Sequence, residues 1–118
     1  MSGREIPPSV QQQVLRLQQL QQSLALLLSE KQRIEAELAE VSTALEEVNK
    51  MDDVAVVYKA VGPVLVQTTK TKIVAELTER KELADTRLKV IESRARAQIE
   101  SLQKEVQKLL SGGQPSSQ

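Results

Sequence analysis

Residues 51–71 read MDDVAVVYKAVGPVLVQTTKT, and the reading of this stretch decides the fold. Val54 to Val66 is rich in β-branched residues, and Gly62-Pro63 interrupts it centrally. Such runs on either side of a Gly-Pro pair predict two short strands with a turn around Val61-Gly62-Pro63. A turn there reverses the chain, so the segments before and after it return side by side. An isolated two-stranded hairpin is marginal in water, and Lys59 is the only charge between Asp53 and Lys70. Apolar residues on both faces imply that both faces are covered. One way is a small local cap on the flanking helices. The other is association with further chains, which open strand edges invite. Because the flanking segments leave from the base and cannot wrap the hairpin, assembly is the better explanation.

Outward from the turn, the helix breakers organise the chain. Gly3, Gly62, Gly112, Gly113, Pro7, Pro8, Pro63 and Pro115 lie at the two ends or at the turn. Between them run two breaker-free arms, 9–50 and 71–110. Globular helices average about 11–12 residues, so arms this long suggest a coiled coil. In the first arm, Ser9 reads as N-cap with Gln12 three residues on, a capping-box spacing. Core positions then step by three and four through Gln13, Leu17, Leu20, Leu24, Leu27, Lys31, Ile34, Leu38, Val41, Leu45 and Val48, over about five heptads. Lys31 reads as a register-fixing polar core residue. The second seam reads Val74, Leu77, Lys81, Ala84, Leu88, Ile91, Ala95, Ile99, Leu102, Val106 and Leu109. Its consecutive steps of four around Ala95 predict a stutter, which locally unwinds a supercoil. Each arm is roughly 60 Å long at the helical rise. Near-equal arms favour an antiparallel intrachain hairpin over a parallel homodimer. The expected architecture is therefore all-α dominated: a long antiparallel coiled-coil hairpin with a central β-hairpin at 54–68. Residues 1–8 and 111–118 are expected to be flexible.

Composition excludes several classes. There is no Cys or His, which removes disulfides, the common zinc sites and imidazole-assisted nucleophiles. No catalytic residue, metal site or cofactor is expected. No GxxxxGK[ST] motif or helix-opening Gly-rich loop is present to bind nucleotide. Sixteen basic residues balance sixteen acidic ones, so no overall field attracts nucleic acid or a membrane surface. Arg87, Lys89, Arg94 and Arg96 form a modest basic stretch, diluted by Glu92 and Glu100 and without aromatics for base stacking. Leu24 to Leu28 is the longest aliphatic run, far short of the roughly 20 residues of a membrane helix. With no apolar signal region at the start, a cytoplasmic location is the expectation.

The sequence VVYKAVGPVLVQTTK between two long helices resembles the β-type subunit of prefoldin. Tyr58, Gly62 and the Leu65-Val66 pair match that family's hairpin motif, and ELTERKELADTRLKVIESR resembles the start of its second helix. The resemblance covers about residues 9–110. Room for a single hairpin matches the β-type rather than the two-hairpin α-type. It implies an ATP-independent chaperone, assembled as a hexamer of two α-type and four β-type subunits. Their hairpins would combine into intersubunit β-barrels, here through Val56, Tyr58, Val61, Gly62, Leu65 and Val66. The arm tips would hold unfolded clients and pass them to a group II chaperonin. The alternative is a structural coiled-coil adaptor without chaperone activity.

One asymmetry bears on the client surface. Val10 to Ser29 is rich in Gln and Leu, with Arg16 its only charge, whereas Glu30 to Lys50 carries nine. Pairing the arms with positions adding to about 121 sets Leu24 and Leu27 opposite Arg94 to Ala97, large side chains against the small Ala95 and Ala97. Val14, Leu15, Ala25, Leu26 and Leu28 lie beyond the narrow seam, and contiguous apolar patches mark interaction sites. The expected client-holding residues are Val10, Val14, Leu15, Leu17, Leu20, Leu24, Leu102, Val106 and Leu109. Leu26 and Leu28 equally fit a widened seam or a neighbouring subunit's arm.

Overall fold

A computed structural model of the chain describes residues 5–111, so the expected flexible ends fall outside it at 1–4 and 112–118. The element order is α1 (Pro8–Asn49), β1 (Val57–Val61), β2 (Val64–Thr68) and α2 (Lys70–Leu110). The chain divides into two compact units, one of residues 31–90 and one of residues 5–30 with 91–111.

The unit of residues 31–90 carries the strands. β1 and β2 pair antiparallel, from Val57 opposite Thr68 to Val61 opposite Val64. Gly62 takes φ +56° while Pro63 stays at negative φ, the signature of a type II′ turn, whose twist matches that of the strands it joins. The strands are shorter than the expected 54–68. Residues 54–56 precede the ladder, after a turn in which Ala55 N donates to Asp52 O at 3.0 Å. Strand alternation puts Val57, Lys59, Val61, Val64, Val66 and Thr68 on one face and Tyr58, Ala60, Leu65 and Gln67 on the other. The first face is partly covered within the chain, contrary to the expectation that only other chains cover the hairpin. Val57 is buried, and Lys59 Nζ reaches Glu76 Oε2 of α2 at 2.8 Å. The remaining core of this unit is Ile34 and Val41 from α1 with Leu77 and Ala84 from α2.

The helix ends are fixed locally. Pro7 O accepts from Val10 N and Gln11 N, both at 3.0 Å, and the helix begins at Pro8. The cap is thus at Pro7 rather than the expected Ser9, which lies inside the first turn. The fixed φ of proline suits the first helical position, where no N–H is needed. Gln11, not Gln12, reaches back, its Nε2 donating to Ile6 O at 3.0 Å. Thr69 caps α2, its Oγ1 accepting from Lys72 N at 3.2 Å. Lys70 closes the loop between the elements. Its Nζ donates to Met51 O at 2.7 Å, Asn49 O at 3.3 Å and Asp53 Oδ1 at 3.2 Å. A cation is thereby placed on the carbonyl end of α1, where the helix dipole favours it.

The two helices share a seam, with α1 antiparallel to α2 in each unit. Every expected α1 seam position is buried or half-buried. In α2 the seam departs from expectation. Lys81 is exposed, as are Ile99 and Val106, whereas Gln98 is half-buried and Glu105 buried. The inward positions run Ile91, Ala95, Gln98, Leu102, Glu105, Leu109, an unbroken alternation of four and three. There is no stutter: the heptad passes through two polar residues and sets the neighbouring aliphatics outward. Ala97, expected to face the leucines, is likewise exposed.

Candidate functional site

Two surfaces stand out, one in each unit. On the hairpin, the outer face exposes Tyr58 (58 %) and Leu65 (69 %), and Val56, Val61 and Val66 are also exposed. The five side chains expected to mediate assembly are therefore uncovered in the single chain, with Gly62 at the turn between them. Nothing lies within 4 Å of where a Cβ on Gly62 would point. Its requirement is conformational, since the positive φ disfavours other L-residues.

The second surface belongs to the unit of residues 5–30 and 91–111. In heptad terms, Gln13, Leu20, Leu27, Ile91, Gln98 and Glu105 are d positions, and Leu17, Leu24, Ala95, Leu102 and Leu109 are a positions. The residues beside this core form two flanks with different chemistry. The g flank is ionic. Arg16 Nε donates to Glu105 Oε1 at 2.9 Å, although the Glu105 side chain is only 8 % exposed, and Lys108 Nζ lies 3.8 Å from the same oxygen. Positions 16 and 105 add to 121, the pairing expected from the arm lengths. On the same flank in the other unit, Arg80 lies 3.9 Å from Glu37.

The e flank carries one charged residue, Glu92 at its inner end, and is otherwise aliphatic or amide. Val14, Leu28, Ile99 and Val106 occupy it at 39 %, 42 %, 40 % and 40 % exposure, with Gln21 between Val14 and Leu28. An open groove lies along it, lined by Gln21, Leu24, Ile99, Leu102, Gln103, Val106 and Gln107. A two-helix coiled coil needs only a and d apolar. A helix that is apolar at a, d and e presents a wider face, as in a bundle.

The residues expected to hold clients therefore separate. Val14, Leu15 and Val106 are exposed, whereas Val10, Leu17, Leu20, Leu24, Leu102 and Leu109 are half-buried at seam positions. Of these nine, the groove brings together Leu24, Leu102 and Val106. Ile99 was not among them. Carrying the three-four spacing through Gln98 and Glu105, instead of following the aliphatics, would have placed it outward. Leu26 and Leu110 are the most exposed aliphatics of this unit, at 73 % and 83 %.

Among the described residues no group of acidic side chains could hold a metal ion. None of their helices is long and apolar enough to cross a membrane.

Known proteins share this arrangement. A family model described as prefoldin subunit matches residues 11–113. Prefoldin subunit beta of Archaeoglobus fulgidus is 43 % identical over 110 residues, covering 91 % of this chain and 95 % of its own. The Sulfurisphaera tokodaii subunit beta is 43 % identical over 115 residues, covering 95 % and 92 %. The crystal structure of the prefoldin beta subunit from Thermococcus strain KS-1 superimposes with a TM-score of 0.86 at 38 % identity, covering 97 % of this chain and all of that one. With a family model over residues 11–113, relatives 43 % identical over most of the chain and a matching beta-subunit fold, the chain belongs to the prefoldin subunit family of non-enzymatic chaperones, as a beta-type subunit.

Proposed function

We propose that the chain is a subunit of an ATP-independent holdase. It captures unfolded polypeptides on the unit of residues 5–30 and 91–111 and passes them to a group II chaperonin. Two α-type and four β-type subunits form the working particle, joined by their hairpins into β-barrels through Val56, Tyr58, Val61, Gly62, Leu65 and Val66. The observation that carries this reading is the e flank, where Val14, Leu28, Ile99 and Val106 stay half-exposed beside the seam and Glu92 is the one charged residue. A coiled coil acting only as a spacer has no need of them. Each contact is weak, and several arms engaging one chain supply the avidity.

The test is suppression of aggregation of a chemically denatured protein by the particle, without nucleotide. Val14→Ser with Leu15→Ser, both exposed, should reduce suppression while native mass spectrometry still finds six chains. Leu17 is less suitable because it belongs to the seam. Undiminished suppression would remove this placement of the client surface. A particle that suppresses nothing and holds one defined partner would be an adaptor instead.

A further inference from the structure

The groove on the e flank has a property that aliphatic exposure does not explain. Three of its seven lining residues, Gln21, Gln103 and Gln107, are glutamines, and none of the seven is charged. The three glutamines are exposed, and their side-chain amides make no hydrogen bond to any described residue. Each amide offers two donor hydrogens and a carbonyl acceptor. The residues between them are Leu24, Ile99, Leu102 and Val106. The ionic cluster of Arg16, Glu105 and Lys108 is turned to the opposite flank and paired within itself, and Glu100 and Lys104 adjoin the lining residues without belonging to them. From Ser9 to Ser29 the rest of the α1 surface carries no charge at all.

We propose that Gln21, Gln103 and Gln107 determine specificity by hydrogen bonding to the main chain of an extended, uncharged client segment, while Leu24, Ile99, Leu102 and Val106 take its apolar side chains. The inference rests on the client-holding reading above and adds the feature that is recognised. Unpaired peptide N–H and C=O groups are common to every unfolded sequence and are satisfied in folded ones. A side-chain amide matches either group in either chain direction, so it reads the unfolded state without reading sequence. A carboxylate or ammonium in its place would accept only or donate only. The lining completes the selection: none of its seven residues supplies a counter-charge to a charged client side chain.

The test uses the full-length chain in its native assembly and three short fluorescent peptides. The first is an uncharged peptide of Leu, Val, Ser and Gln. The second is the same peptide N-methylated at alternate residues, and the third has its Val residues replaced by Asp. Fluorescence anisotropy should show the N-methylated and Asp peptides binding about tenfold more weakly than the parent, since each loses hydrogen bonds or gains a buried charge. In the Gln21→Leu, Gln103→Leu, Gln107→Leu variant, the parent and N-methylated peptides should bind alike, because the apolar contacts persist and the amides are gone. Equal binding of those two peptides by the unaltered protein overturns the proposal while leaving the holdase reading in place. Absence of binding to all three peptides, with no suppression of aggregation, removes both. Peptide release on concentrating the protein, with a rise in particle mass, would assign the flank to a second copy and also overturns the proposal.

Discussion

Lys70 and Gly62 each make one residue carry a conformation that its neighbours depend on. Lys70 sets one ammonium on the carbonyl of Asn49 at the end of α1, on that of Met51 just beyond and on the Asp53 carboxylate, with its side chain 17 % exposed. Lys70→Met keeps the aliphatic stem and removes all three bonds. It should cost about 1–3 kcal/mol, the usual worth of hydrogen bonds to a charged group, read as a lower thermal midpoint by circular dichroism. An unchanged midpoint would show that water replaces the ammonium without loss. Gly62 differs in kind, because a Cβ there meets nothing within 4 Å and only φ +56° opposes it. Gly62→Ala should cost about 1–2 kcal/mol, the left-handed penalty of an L-residue. Gly62→Asn should cost less and Gly62→Val more, an order that a clash-based explanation would not produce. The turn glycine was legible in the sequence, since Gly-Pro between β-branched runs has few other readings. Lys70 was not legible, because its three partners lie 17 to 21 residues away and only the closed loop brings them together.

At the scale of the element, α1 and α2 differ in how openly they declare their buried face. The α1 seam could be read directly because its core positions are aliphatic apart from Gln13 and Lys31, and all eleven are buried or half-buried. In α2 the aliphatics Ile99 and Val106 lie one residue past the true core positions, so following hydrophobicity produced a stutter that the helix does not have. What keeps the α2 register through Gln98 and Glu105 is helical geometry with the apolar core on either side, and the Arg16–Glu105 bond at 2.9 Å adds to it. The α2 side of the e flank was hidden by the same displacement, which is why Ile99 escaped the expected site. The polar core has a testable sign. Gln98 Oε1 is buried and accepts no hydrogen bond from any described residue, so Gln98→Leu should stabilise this stretch by about 1 kcal/mol or more. Glu105→Leu should be neutral or stabilising, as when apolar side chains replace a buried ion pair. Arg16→Ala should destabilise, leaving the Glu105 carboxylate with only Lys108 at 3.8 Å. Amide hydrogen exchange over residues 91–111 would read all three. Faster exchange in Glu105→Leu would mean that the ion pair, not the apolar core, holds the helices together here.

For the whole molecule, the two surfaces lie in separate units, so the assembly and client holding proposed for them have different mutational signatures. The outer hairpin face of Tyr58 and Leu65 is as exposed as a surface helix residue, yet strand alternation gives it no polar partner except Gln67. If the hairpins assemble as proposed, Leu65→Asp sets a carboxylate where an apolar side chain would be buried, and burying an unpaired charge costs several kcal/mol. The single chain has no such cost, because Leu65 is already 69 % exposed in it. Leu65→Asp should therefore leave helical content and thermal midpoint of the isolated chain unchanged while native mass spectrometry shows the six-chain particle lost. Suppression of aggregation should then fall far more than the change in any one arm explains. When several weak sites act on one chain, separating them forfeits an avidity that reaches about 10²–10⁴-fold. Val14→Ser with Leu15→Ser should do the converse, preserving the particle and weakening each arm. If Leu65→Asp dissociates the particle yet suppression per chain is undiminished, a single arm suffices to hold a client, and the hairpin serves some purpose other than avidity.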